Sequence, residues 1–396
     1  VSRRSLLAAL LGCTLLKVLV AASFTGTVEV RQMRQQAEAA LAGRDLLVPA
    51  STGNNPSFFL GGHYAIVTGA MLLSRASGLP FAFVVKLPAI AADLLIALLL
   101  LGARRADATT GAALALAFMF NPVSFLLSAY HGQPHTVAVA GGVLALWLAE
   151  RGRATAAGVA LGLAASVRQH LALLAVPLAL CLPRQARPRL LAGLVVVGVA
   201  LNAGLALSAH PERVLAPTWV YGTWGYTLVL VQAPRLLARL GLDVPEAVAG
   251  GFQSALLQHG WLIFFGWAAA FALGCWRARH RELDPWAAAL VFFAGLCALS
   301  PGFGVQWTIW ALPFWLVVHR RSALLYSALA GAFLAGSYWQ WTLPARHGVE
   351  SATANLHLLG RGELLAIALV GALGLATWAL TGWAAWRFSA PLRGHP

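Results

Sequence analysis

The chain has 396 residues, 59% of them hydrophobic and 10% charged, against the roughly 25% charged residues of a soluble domain. That composition excludes an ordinary water-soluble fold and predicts an all-α, polytopic membrane protein. The formal charge of +15 does not imply a nucleic-acid partner, because the basic residues are almost all arginines in short breaks between apolar runs, where they act as topology signals.

In chain order, segments long enough to cross a bilayer, at about 20 residues each, are expected near 5–24, 81–102, 109–129, 188–208, 256–276, 322–340 and 362–386. Shorter candidates lie at 133–150, 285–300 and 305–318, and the stretch 154–182 reads as a hairpin of short helices turning around Arg168. The first segment, opened by Arg3-Arg4 and followed by Val20-Ala21-Ala22, resembles a secretory signal. The many spans behind it favour an uncleaved first helix.

Arginine pairs and clusters such as Arg3-Arg4, Arg104-Arg105 and Arg320-Arg321 then fall on one side, the cytoplasmic one by the positive-inside rule. This gives about 12 transmembrane segments with both termini inside. Residues 1–208, with a first outer loop at 25–80, are expected to form one transmembrane module, and 209–396, with outer loops at 209–255 and 341–361, a second, variable one. Within the first loop, Val28 to Gly43 reads as a polar helix closed by Gly43, and Phe58 to Leu73 as a helix lying on the outer surface.

Ionisable groups at membrane depth are costly and mark either function or pairing. Arg168, in Ser166-Val167-Arg168-Gln169-His170, reads as a phosphate clamp or as an arginine reaching the outer headgroups; Gln169 and His170 beside it favour a site. Asp93 shares a helix face with Lys86, and Lys17 lies in the first helix, so an interhelical ion pair between Asp93 and a lysine is expected. Glu29 is either a general base for a hydroxyl proton or an acid in the first turn of a helix.

The polar run Tyr130-His131-Gly132-Gln133-Pro134-His135 ends an apolar segment and marks an outward working surface. His131, Gln133 and His135 suit sugar hydroxyls, phosphate or a metal. Gly132 and Pro134 break the helix that an i, i+4 metal pair would need, which favours hydrogen bonding. Tyr221, Trp224 and Tyr226 read as an interfacial aromatic belt or as platforms for sugar rings. Cys13, Cys181, Cys275 and Cys297 have no ligand spacing, and no Asp-x-Asp, phosphate-loop or dinucleotide motif occurs.

Taken together, Glu29 fourteen residues before Gly43, Lys86-Leu87-Pro88 with Asp93, Asn121-Pro122 with Gly132-Gln133, Arg168-Gln169, and Ser300-Pro301-Gly302-Phe303-Gly304-Val305-Gln306-Trp307 resemble the motifs of the GT-C superfamily of integral-membrane glycosyltransferases. The resemblance is to the bacterial mannosyltransferase-like and GPI-mannosyltransferase-like branch and spans about residues 5–320.

The resemblance implies an inverting glycosyltransferase of the bacterial inner membrane, with an outward site and no cofactor or metal. The implied donor is a polyprenyl-phosphate-linked sugar, such as mannose, and the acceptor a lipid or glycan hydroxyl. Glu29 would be the base. Arg168, Gln169 and His170 would bind the donor phosphate, with Tyr130, His131, Gln133 and His135 shaping the sugar pocket. Tyr221, Trp224, Tyr226 and Gln306 would form an acceptor or sugar platform. Three positions depart from the usual pattern: Glu29 and His135 stand where aspartate is common, and Arg168 where lysine is. A transporter or flippase using the same cavity, and an inactive relative that only binds the lipid, are the competing expectations.

Overall fold

A computed structural model describes residues 2–46, 59–103, 108–207, 224–226, 246–277, 284–300, 302–348 and 358–390. Every regular element among them is helical. In order these are α1 (Arg3–Ser23), α2 (Val28–Leu41), α3 (Gly61–Ser77), α4 (Phe81–Val84), α5 (Leu87–Leu101), α6 (Ala108–Met119), α7 (Pro122–Phe125), α8 (His135–Ala149), α9 (Ala154–Val167), α10 (Ala175–Cys181) and α11 (Arg187–Ala206). The second half contributes α12 (Glu246–Arg277), α13 (Pro285–Leu299), α14 (Leu312–Val318), α15 (Arg320–Gln340), α16 (Leu343–His347) and α17 (Arg361–Phe388).

Among the described residues, five helices are long and apolar enough to cross a membrane: Arg3–Ser23, Phe81–Leu101, Arg184–Leu205, His259–Arg277 and Arg361–Phe388. A sixth is possible if the pair Thr109–Met119 and Pro122–His131, bent by 45°, is one span. The expected segment at 322–340 is helical as α15, but Ser322, Tyr326, Ser327, Ser337 and Tyr338 leave it outside that group.

The exposed faces have the polarity of a protein solvated by lipid. On α1, Leu11 is 62% and Leu15 59% exposed, while Lys17 is fully buried. On α11 Val196, and on α17 Leu365, are likewise turned outward. Apolar side chains outside with a charged one inside is the arrangement that a hydrocarbon surround stabilises.

The largest buried cluster lies where α13 and α14 meet the site-bearing helices, with Trp286, Trp307, Trp310 and Trp315 all sealed from solvent. Small residues allow the closest helix approach: a Cβ on Gly158 of α9 would stand 2.1 Å from the Leu190 carbonyl oxygen of α11. α2 and α3 pack on each other through Met33, Ala37, Val67 and Met71, forming a separate small core over the site.

Two irregularities position the functional side chains. After α7, Leu126–His131 winds as a π-helical turn that ends at Gly132, whose φ is 80°. Such turns shift the following side chains off the regular helical face. The expected hairpin apex is also present. α9 stops at Arg168, which is extended at φ −143° and ψ 109°, and a 3-10 turn over Gln169–Leu174 leads into α10.

Candidate functional site

Glu29 occupies the first turn of α2, immediately after the left-handed turn at Gly26. Its side chain is 23% exposed, and its Oε2 lies 2.6 Å from His131 Nε2. Gln306 Nε2 donates to both carboxylate oxygens at 3.1 Å, and Gln133 Nε2 donates to Oε2. Burial pushes the Glu29 carboxyl up. The opposing pull of His131, by charge and hydrogen bond, of Gln306 and of Arg168 outweighs it, so the pKa lies below the usual carboxylate value. The carboxylate is therefore ionised at neutral pH and reachable from outside.

Arg168, 3% exposed, stands behind this carboxylate. Its Nη2 donates to Gln133 Oε1 at 2.9 Å, its Nε to His135 Nε2 at 2.8 Å, and its Nη1 lies 3.3 Å from His63 Nδ1. The guanidinium also sits 4.4 Å over the Phe59 ring, which stacks on His63 at 4.1 Å. Burial and the Arg168 charge hold His63 well below its ordinary pKa. A neutral ring with Nε2–H donating to Gln36 Oε1, 2.9 Å away, leaves Nδ1 as the acceptor for Arg168.

His135 is different, since Trp310 Nε1 faces its other ring nitrogen at 3.2 Å. A neutral imidazole has one lone pair to offer. The shorter, charge-assisted bond from Arg168 takes it, so Nδ1 carries the proton and the Trp310 N–H faces it without an acceptor there.

A lysine locks the turns of this site together. Lys86, fully buried between α4 and α5, donates from Nζ to the Phe24 carbonyl at 2.5 Å and the Ala21 carbonyl at 3.2 Å, satisfying the open end of α1. Its stem passes Gly132 and Gly26 so closely that a Cβ on them would approach Lys86 Cγ to 2.8 Å and Cε to 3.4 Å respectively. Both turns, one carrying Glu29 and the other His131 and Gln133, are therefore held against one side chain.

The other expected residues separate into groups. Tyr130 lies near the site, its ring 5.2 Å from Tyr338. Gln169 and His170 are buried; His170 packs 4.9 Å from both Trp307 and Trp310. Trp224 packs edge-on to Phe333 at 4.6 Å and Tyr226 lies 6.5 Å from Trp378. Tyr221 lies outside the described residues.

Sequence reasoning missed Gln36, Phe59, His63, Tyr338 and Trp341. A histidine in the otherwise apolar start of α3 and a glutamine on the inward side of α2 were the available signals for two of them. Among the described residues, no group of three His, Cys, Asp or Glu side chains is placed to hold a metal ion.

Asp93 pairs with Lys17 and not with Lys86. Lys17 Nζ lies 2.5 Å from Asp93 Oδ2 and 2.6 Å from Ser124 Oγ, and both ends of the pair are fully buried. This is the interhelical ion pair expected from the sequence; Lys86, on the same face as Asp93, turns back toward α1.

The chain matches no family model, no curated protein and no solved structure.

Proposed function

We propose that this membrane protein is an inverting glycosyltransferase of the GT-C type, moving a hexose from a polyprenyl-phosphate donor to an acceptor hydroxyl at the outer membrane face. The observation that carries this reading is the double use of one amide. Gln133 donates to the Glu29 carboxylate and accepts from Arg168, so a proton acceptor and a phosphate-binding cation stand one side chain apart. In the reaction, Glu29 takes the acceptor's hydroxyl proton as its oxygen bonds to the anomeric carbon. The bond from that carbon to the phosphate oxygen breaks, and Arg168 stabilises the electron pair left on the lipid phosphate. The twelve-crossing layout with both termini inside belongs to the same proposal.

The second reading, a lipid flippase or transporter, draws support from the helix broken at Asn121, since discontinuous helices with polar groups at the break line many transport sites. One experiment separates the two. Purified protein in lipid nanodiscs is given a panel of radiolabelled polyprenyl-phosphate sugars and candidate acceptors, and wild type is compared with Glu29→Gln and Arg168→Ala. Transfer abolished by both substitutions supports the enzyme; lipid binding without transfer from any donor sinks it and favours the flippase.

A further inference from the structure

We propose that Tyr130, Tyr338 and Trp341 form the acceptor subsite, built to take a hydroxyl-bearing ring, a sugar or a cyclitol, beside Glu29. The acceptor role rests on the transfer reaction proposed above; the ring-binding site does not.

The geometry begins at His131, which holds Glu29 and is itself covered by Tyr338, the two rings stacked at 5.3 Å with 22° between their planes. Trp341, at the C-terminal end of α15, lies 5.4 Å from Tyr338 and 6.0 Å from His131. Tyr130 adjoins Tyr338 on the other side and reaches Phe24 at 5.7 Å. The rings thus make a continuous wall that leads from the carboxylate to the surface, where Trp341 is 37% and Phe24 53% exposed.

The polar atoms of this wall point to its ligand. Tyr338 is 5% exposed, yet its hydroxyl has no hydrogen-bond partner among the described residues. The inner ring nitrogen of His131, Nδ1, is buried and equally unmatched. Buried polar atoms left unpaired are rare and ask for a partner.

A pyranose or cyclitol ring meets both demands. Its C–H face suits an aromatic surface, and its rim of hydroxyls can pair with phenol and imidazole while presenting one hydroxyl to Glu29. An aromatic belt at the headgroup level would explain Trp341 alone. It leaves the Tyr338 hydroxyl unexplained, because an aromatic belt supplies no partner for a buried phenol.

The test uses saturation-transfer NMR on the full chain in nanodiscs, with methyl α-mannopyranoside and myo-inositol as probes. Wild type is expected to transfer saturation to the ring C–H protons of one probe face. Trp341→Ala should lower that signal about fivefold, as loss of one aromatic contact implies, while Trp341→Phe retains most of it. Tyr338→Phe should weaken binding with the stacking pattern unchanged. Binding of an isoprenoid monophosphate, unaltered in every variant, shows that each is folded.

No saturation transfer to either probe from wild type, or a signal undiminished in folded Trp341→Ala, overturns the proposal. Ring binding of the expected pattern in a protein that transfers no sugar from any donor leaves the ring site standing and removes the glycosyltransferase reading.

Discussion

Two buried polar clusters lie within this fold, and they are built on opposite plans. At Lys17 and Asp93, opposite charges meet directly at 2.5 Å and Ser124 also accepts from the lysine, while Asp93 Oδ1 is left without a hydrogen-bond partner among the described residues. At Glu29 and Arg168, the charges are held apart by Gln133, and the bonds described for the guanidinium run to amide, imidazole and backbone groups. The first plan neutralises charge for good. The second sets a carboxylate and a cation one amide apart, the arrangement that the proposed transfer would use, which is why it is the candidate site and the first is a clamp.

The comparison can be broken most decisively at the carboxylate. Glu29→Gln keeps the shape and removes the charge, and loss of a general base is expected to lower sugar transfer about 10²- to 10⁴-fold with the helix content unchanged by circular dichroism. Arg168→Ala should lower transfer about 10²- to 10³-fold, the scale of losing one preorganised donor to developing negative charge. Retention of full transfer by either variant would move the chemistry elsewhere.

The clamp should respond in the other currency. Lys17→Met leaves Asp93 buried and unpaired, at a cost of about 3–5 kcal/mol of stability. The double variant Lys17→Met/Asp93→Leu should recover most of that, since the penalty lies in the orphaned charge. Transfer per folded molecule should stay at the wild-type level in both, and a drop comparable with that of Glu29→Gln would mean that the two clusters are not separate.

Lys86→Met keeps the stem between Gly26 and Gly132 but frees the carbonyls of Ala21 and Phe24. A small displacement of Glu29 should lower kcat about tenfold, with the donor KM little changed. The smallest effect is on pH. Because the Glu29 pKa is depressed in the folded protein, the ionised carboxylate contributes stability above its unfolded value and loses it as pH falls through the folded one. The acid limb of transfer should therefore lie below pH 4.5, and His131→Asn should move it upward.

How much of this could be read from the residues varies with the kind of signal. The apolar lengths of 5–24 and 81–102 translate closely into Arg3–Ser23 and Phe81–Leu101, because hydrophobic length is a local property. The polar start of the first loop likewise gives α2, followed by Gly43 at φ 66°. Arg168 could be picked out as a charge in apolar company and His131 and Gln133 as a polar run ending an apolar segment, whereas the roles of Glu29 and Gln306 came only from the family resemblance. Their convergence depends on the Gly26 and Gly132 turns and on a π-helical turn, which no hydrophobic period encodes. The choice of Lys17 over Lys86 as the partner of Asp93 was likewise a tertiary outcome.

That ion pair also constrains how the protein is made. Lys17 precedes its partner by 76 residues, so an apolar helix that inserted as it was made would carry its lysine before Asp93 existed. A lone lysine at the centre of a helix costs about 2.5–3.5 kcal/mol on insertion scales. Until the next apolar helix arrives, Arg3–Ser23 is a span with an unmet charge, held by the flexibility of its lysine or by the insertion machinery. Release into the bilayer is then expected to be a joint event of two helices, with the ion pair formed only when both are in place.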